Sequence, residues 1–298
     1  MNHPARPCPA NGPHLAHPTG MKVELSTAQN VSSHGNASVR LEDVYKSFHG
    51  GKEHVLDGVS LTFPSKKCTY ILGPSGSGKS VIFRLILGLL KPDRGQIWVG
   101  DQDIAKLNSR GLTKIRNRFG ALFQGTALFD DLSAYENVAF PLREHTRLSE
   151  NEIRPKIESM LAIFGMNQDL DKYPNELSGG MRKRVALARA IIRDPDILLC
   201  DEPTTGLDPV TREGVDSYFS TLQEKFRLTL IIISHDILSA LRYADKIAFL
   251  SDGKMIFFGS PAQFEAERDH PIIRSFLDAE DRAAKVLHLP TDWTQKAS

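Results

Sequence analysis

The sequence predicts an α/β fold with three parts: a mainly parallel sheet core, an antiparallel β layer at the N-terminal side, and a helical subdomain set into the middle. Three observations carry this. Short, continuous apolar runs at residues 69–72, 197–200 and 229–233 alternate with helical stretches, as in a buried parallel sheet. Residues 38–44 instead alternate apolar and polar, the mark of a half-buried strand. Between about 128 and 193 the strand pattern stops and helical periodicity takes over.

Taken in order, residues 1–37 are rich in Pro, His, Ser, Asn and Gly and predict a disordered extension, because they offer little apolar surface to offset ordering entropy. His3, His14, His17 and His34 are too irregularly spaced for a metal tract and read as part of that tail. A second strand is expected over 55–63 after a Gly50-Gly51 turn. Residues 69–72 are the first core strand, followed by a glycine-rich loop and an apolar helix over 80–90, which Lys91-Pro92-Asp93-Arg94-Gly95 should stop. A strand at 96–99 follows. The clearest helix of the middle stretch is 153–164. Then strand and helix alternate: strand 197–200, helix 212–226, strand 229–233, helix 237–243, and a hairpin of 246–250 with 254–258 around Asp252-Gly253. The main domain should span 38–260. Residues 261–298 read as a C-terminal extension, helical near 264–285.

Bulk properties narrow the function classes. The 298 residues hold 37 Lys+Arg against 36 Asp+Glu, so there is none of the basic excess that marks a nucleic-acid binder, and no nucleic-acid partner is expected. No apolar run reaches the roughly 18 residues needed to cross a bilayer. Residues 1–20 carry five prolines and no signal-peptide core. Cys8, Cys68 and Cys200 suit neither zinc nor a disulfide framework, and Cys200 should be a buried small hydrophobe, which fits a reducing, cytosolic compartment.

Gly73-Pro74-Ser75-Gly76-Ser77-Gly78-Lys79-Ser80 matches the phosphate-loop pattern G-x-x-x-x-G-K-[ST]. Glycines let backbone amides turn inward around an anion, and the helix that follows aims its positive end at the phosphates. Lys79 is placed to reach the outer phosphates, and the Ser80 hydroxyl to bind Mg²⁺. The preceding apolar strand and the following apolar helix are the context that separates this from an ordinary glycine turn. Ile197-Leu198-Leu199-Cys200-Asp201-Glu202 is an apolar strand ending in two carboxylates. Asp201 can hold Mg²⁺, and Glu202 can act as general base for an attacking water. Ile231-Ile232-Ile233-Ser234-His235-Asp236 ends a second strand on His235, a candidate γ-phosphate contact. The Gln124 amide, after a short strand-like run, could bind Mg²⁺ or orient the water. Leu177-Ser178-Gly179-Gly180-Met181 opens a helix with serine and two glycines, an anion site with no nearby phosphate loop of its own, which suggests a phosphate held by another copy.

Together these residues resemble an ABC-type (ATP-binding-cassette) ATPase subunit, a branch of the P-loop NTPases, over roughly residues 39–260. The phosphate loop is similar to Walker A, Gln124 to the Q-loop glutamine, and 177–181 to the LSGGQ signature with Met181 in place of Gln. Asp201 and Glu202 resemble Walker B with its catalytic glutamate, Thr205-Gly206-Leu207-Asp208 the D-loop, and His235 the switch histidine. The resemblance implies ATP and Mg²⁺, and catalysis by Glu202, His235, Gln124 and Lys79. It further implies nucleotide contacts from Phe48 stacking on adenine (Tyr45 as runner-up), from 73–80, and from Ser178, Gly179, Gly180 and Asp208. It implies a second copy of the chain in a head-to-tail ATP sandwich, and a separate transmembrane permease, with this subunit peripheral on the cytoplasmic side of the inner membrane. Residues 123–133 and 137–142, with Gly179-Gly180-Met181-Arg182-Lys183-Arg184, resemble the Mla-type branch, which implies lipid cargo and an MCE-domain lipid-binding partner. Apolar Ala127, Leu128, Phe129 and Leu132 suit a groove for the permease's coupling helix. A transporter for another substrate shares the same motifs. A soluble non-transport relative would carry two cassettes, zinc spacing or coiled-coil insertions, and a dead regulatory module would lack the catalytic set.

Overall fold

The computed structural model describes residues 37–49 and 53–286, so the expected N-terminal extension, its histidines, Cys8 and the Gly50-Gly51 turn lie outside the described residues. Two sheets form the frame. The first is four-stranded and antiparallel in its pairings, order β2-β1-β4-β5, from β1 (Val39–Phe48), β2 (Glu53–Phe63), β4 (Arg94–Val99) and β5 (Gln102–Asp103). The second has six strands in the order β10-β9-β3-β8-β7-β6. Its β3 (Cys68–Leu72), β6 (Phe119–Leu122), β7 (Ile197–Asp201), β8 (Thr229–Ile233) and β9 (Lys246–Ser251) run parallel, and β10 (Lys254–Gly259) closes one edge antiparallel. β3, β7 and β8 are apolar on both faces because both faces are covered, which is why they read as continuous runs.

Alternate residues of the parallel sheet feed two cores. Ile71, Leu199, Ile231, Ile233, Ala248 and Leu250 pack with the antiparallel layer and with α1 (Lys79–Ile86). Tyr70, Leu72, Leu198, Cys200, Ile232 and Phe249 face the remaining helices: α3 (Ala134–His145), α4 (Glu150–Ile163), α5 (Gly179–Ile191), α6 (Pro209–Phe226), α7 (Ile237–Tyr243), α8 (Pro261–Ala266) and α9 (Pro271–Val286). Helices α3, α4 and α5 pack on one another, and α5 also meets β6 and α6, so it straps the helical stretch to the sheet.

Three expectations need correction. The helix after the phosphate loop ends at Ile86, not Leu90, because Gly88 takes a left-handed conformation (φ +64°) and closes the last turn. The C-terminal section is two helices rather than one. α8 ends at Ala266 with Glu267 as its cap, and after the turn of residues 267–270 Pro271, whose missing amide costs nothing at a helix start, opens α9. A short helix, α2 (Ser109–Arg116), capped by the Asn108 side chain, whose Oδ1 accepts from the Gly111 amide, was not legible in the apolar pattern. Cys68 and Cys200 are buried free thiols, and burial pushes both thiol pKa values up, so they are inert hydrophobes.

Candidate functional site

The parallel register brings the C-terminal ends of β3, β7 and β8 side by side: Ile71 pairs Ile233, and Ile233 pairs Asp201. The phosphate loop, Asp201, Glu202 and His235 gather at that edge, where open α/β sheets bind ligands. Residues 73–80 form the loop from β3 into α1. Gly73 (φ +145°) passes so close to β9 that a Cβ would collide with the Leu250 carbonyl. Gly78, the N-cap of α1, has φ +103°, and a Cβ there would lie 2.9 Å from the Val55 carbonyl. Glycine is therefore required at both positions. A Cβ at Gly76 would meet no atom within 4 Å, so the crown of the loop is open. Lys79 is nearly buried and donates to the Gly73 (2.7 Å) and Pro74 (2.8 Å) carbonyls, which holds its ammonium inside the loop. Burial lowers its pKa, against the opposing pull of Glu202, Asp201 and Glu280. The Ser77 hydroxyl is buried in the same cradle with no protein partner.

Ser80 Oγ lies 3.5 Å from Asp201 Oδ1. A hydroxyl and a carboxylate converging with no positive side chain bonded between them are the hard oxygen donors that Mg²⁺ takes. Burial raises the Asp201 pKa and the neighbouring Glu202 adds to the rise, while the Ser80 hydroxyl opposes it; a cation there would relieve the cost. Glu202 sits in the left-handed region (φ +50°), sparsely populated for a side chain of its size. Contacts on every side hold it there. Its amide donates to the Ile233 carbonyl (2.9 Å), and its Oε2 accepts from Thr205 Oγ1 (2.8 Å) and lies 2.8 Å from His235 Nδ1. Burial pushes its pKa up, but the His235 bond and charge, the Thr205 hydroxyl and Lys79 outweigh that and hold it below the usual carboxylate value. The His235 pKa is raised by the same bond to Glu202 against its own burial. The pair is thus an ionised acceptor and an imidazole whose other nitrogen is free to face a ligand.

The remaining candidates are placed differently. The Gln124 side chain is exposed on the loop after β6, and among the described residues no hydrogen bond joins it to Ser80 or Asp201. Ser178 caps α5 by accepting from the Met181 amide (3.3 Å). A Cβ on Gly179 would lie 3.1 Å from Leu207, and one on buried Gly180 would collide with Thr211, so this helix start leans on the 205–208 loop and on α6. Among the described residues it makes no hydrogen bond to the phosphate loop. Asp208 accepts from the Val210 and Thr211 amides (3.1 Å each), so its carboxylate serves as the α6 cap. Bonding to Thr211 holds its pKa below the usual value. Phe48 ends β1 half-exposed with the Lys46 ammonium 5.4 Å from its ring centre. Tyr45 lies under the Arg94 guanidinium at 5.1 Å and is packed against Gly58.

Three residues of this site were missed in the sequence. Thr205 orients Glu202, as above. Lys183, on α5, donates to the Gln124 carbonyl (2.9 Å) and reaches the Glu202 carbonyl (3.4 Å). Glu280 lies on α9 one turn beyond Phe276, whose ring packs 5.2 Å from Phe249, the β9 partner of Leu72 just before the phosphate loop. Burial raises the Glu280 pKa, and His235, Asp236, Glu202 and Lys79 all lie within electrostatic reach. Backbone acceptors leave no sequence signature, which hid Lys183; nothing in the α9 pattern distinguishes Glu280.

Comparison with known proteins agrees with this geometry. A family model described as ABC transporter matches residues 56–205. The chain is 41% identical over 241 residues to the "Probable ribonucleotide transport ATP-binding protein mkl" of Mycobacterium tuberculosis, covering 81% of this chain but 66% of that one, just under two thirds of its length. It is 39% identical over 250 residues to the "Intermembrane phospholipid transport system ATP-binding protein MlaF" of Haemophilus influenzae, covering 84% and 95% of the two chains. Among solved structures, the dimeric post-hydrolysis state of the ATP-binding cassette MJ0796 bound to ADP and Pi matches at 34% identity and a TM-score of 0.69, over 75% of this chain and 98% of that one. CbiO1 of Clostridium perfringens, part of the ABC transporter complex cbiONQ, matches at 30% identity and 0.72, over 85% and 100%.

Proposed function

Because this chain belongs to the ABC transporter ATP-binding family, we propose that it binds ATP in the loop of residues 73–80 and hydrolyses it to energise a membrane transporter. The observation that carries the reading is Glu202, held ionised in a strained conformation by Thr205 and His235, beside Ser80 and Asp201. In this reading the loop amides and Lys79 bind the phosphate chain. Glu202 accepts the proton of the attacking water as the new P–O bond forms and the bond to the ADP oxygen breaks. His235 keeps Glu202 oriented and contacts the terminal phosphate. The catalysis is mostly positioning and charge neutralisation. Magnesium would be held by Ser80 and Asp201, with Gln124 as a further donor, and would neutralise charge on the phosphates.

The site is completed by a second copy of the chain, with Ser178, Gly179 and Gly180 of one copy reaching the nucleotide of the other. The dimeric MJ0796 structure supports this arrangement, as does an α5 start that makes no hydrogen bond to its own phosphate loop. The ABC-type resemblance assigns the spanning part to a separate permease, with this subunit on the cytoplasmic side, and the likeness to CbiO1, part of an ABC transporter complex, supports a subunit role. No helix among the described residues is long and apolar enough to cross a membrane. Exposed Phe129, its ring tilted against Phe140 with centroids 4.8 Å apart, supports a docking groove for the permease beside Leu128 and Leu132. Similarity to MlaF supports phospholipid cargo, and the Mla-type resemblance of residues 123–133, 137–142 and 179–184 extends the reading to an MCE-domain partner; the similarity to mkl keeps a transporter of other cargo as the second reading. Purifying the chain with its membrane partners and reconstituting the complex in vesicles tests this. ATP-dependent transfer of labelled phospholipid is expected, and movement of ribonucleotides alone would replace the lipid reading with the second one.

A further inference from the structure

Lys183 is an unusual lysine. It lies on α5 five residues after Ser178, is 5% exposed, and forms no ion pair among the described residues. A buried ammonium without a carboxylate partner is costly unless its hydrogen bonds are well used. Its two acceptors are the main-chain carbonyls of Gln124, 2.9 Å away, and Glu202, 3.4 Å away. These carbonyls close the C-terminal ends of the neighbouring strands β6 and β7, and both belong to residues of the hydrolytic site.

Both acceptors lie in backbone that needs support. Glu202 is left-handed (φ +50°), and two residues beyond Gln124 come two consecutive left-handed side-chain-bearing residues, Thr126 (φ +61°) and Ala127 (φ +49°). The same helix grips that loop a second time. Arg189 donates to the Thr126 carbonyl (2.9 Å), and its guanidinium lies over the Phe129 ring at 5.7 Å. Such conformations persist only where surrounding contacts over-determine them. The first turn of α5 and the Lys183 side chain are about 7.5 Å apart along one rigid helix, so a shift of the helix start moves the ammonium with it.

We propose that Lys183 is a positioning residue for ATP hydrolysis: it ties the start of α5 to the backbones of Gln124 and Glu202, so that the glutamine loop and the general base are set together when α5 is seated. This rests on the proposed ATPase reading and adds to it a link between the signature helix and the base. Lys183 itself touches no reacting atom. A role in packing alone would be met by an apolar side chain of the same length, and methionine is that substitute.

The test compares Lys183→Met and Lys183→Gln with the unaltered protein and with Glu202→Gln, all checked for folding by thermal melting. For Lys183→Met, kcat should fall ten- to a hundredfold while KM for ATP changes less than threefold. Hydrogen exchange of the 123–129 backbone, measured without nucleotide, should speed up at least tenfold. Lys183→Gln keeps a neutral donor and should recover at least part of both losses. Wild-type kcat in Lys183→Met, or unchanged exchange at 123–129, overturns the proposal. So does a loss of kcat matched by an equal rise in KM, or a variant that melts as an unfolded chain while Lys183→Gln behaves as wild type in both readouts. The failures are separable: if Glu202→Gln turns over normally, the ATPase assignment of the base falls, whereas a dead Glu202→Gln beside a fully active Lys183→Met removes only the role of Lys183.

Discussion

Helices α1 and α5 both begin on serine and glycine, yet their first turns are dressed in opposite ways. At α1 the cap is Gly78, which has no side chain to offer, and the loop before it is open at Gly76. Around it stand a lysine, two carboxylates and a histidine brought from three elements: α1, the end of β7 and the end of β8. At α5 the cap is Ser178, whose hydroxyl already satisfies the Met181 amide, and the two glycines are pressed against Leu207 and Thr211. Both helix starts carry the positive end of a macrodipole, but only one is surrounded by groups that do chemistry. The residue types alone do not decide which start is which; the neighbouring strand ends do. On the proposed two-copy reading the two starts are complementary: α5 offers donors and no base, α1 has the base and an open crown.

The most severe way to break this contrast is at α1. Glu202→Gln removes the ionised acceptor while keeping the shape, and turnover should drop by about 10² to 10⁴ with nucleotide binding retained, as steady-state hydrolysis and equilibrium binding would measure. Normal turnover would mean that the chemical groups around α1 are not the hydrolytic centre. Next comes Ser178→Asp at α5. Aspartate caps a helix as well as serine and suits the dipole, so thermal stability should hold. The added negative charge would face the partner's phosphate, so turnover should fall at least tenfold while the isolated chain binds ATP normally. If turnover were unaffected, the α5 start would be only a structural cap.

A smaller effect is expected at the nucleotide's far end. Phe48→Ala should weaken ATP affinity about two- to tenfold, the range of one aromatic stacking contact, in a binding titration. Tyr45→Ala, with Tyr45 already under Arg94, should cost binding less.

The smallest effect sharpens the scaffold behind α5. Asp216 on α6 is buried beside α7 and accepts from the Ser239 hydroxyl. Burial pushes its pKa up to about 6. A folded-state value raised above the unfolded one means that the neutral acid favours folding. That contribution is present at low pH and lost as pH rises from about 4 through 6. Asp216→Asn should therefore raise Tm by roughly 5 °C at pH 7.5 and leave it nearly unchanged at about pH 3, below the unfolded-state value. A rise of equal size at both pH values would rule out ionisation as the cause.

Much of this molecule is legible in its sequence where function and local structure coincide. The eight residues from Gly73 to Ser80 are contiguous, and their glycines answer to backbone collisions that only glycine avoids. Asp201, Glu202 and His235 close apolar strands, and a parallel sheet must bring such ends to one edge. What was not legible depends on long-range partners. The bond between Glu202 and His235 joins the ends of adjacent strands β7 and β8, and no spacing rule announces it. The grip of Lys183 on two carbonyls is invisible because every residue has a carbonyl. Asp208 reads as a ligand by its motif, and its second role, capping its own helix start, is not announced by that motif. The start of a second C-terminal helix at Pro271 was written in the sequence, but the apolar residues on either side masked it.

The central claim, that α1 of one copy and α5 of another make one nucleotide site, is tested most directly by sedimentation of Glu202→Gln with and without Mg-ATP. The expected result is a species of twice the chain mass that appears only with ATP and vanishes when Ser178→Asp is added, although ATP remains bound. A chain that holds ATP yet sediments as a single copy at every concentration, or a pair indifferent to Ser178→Asp, would contradict it.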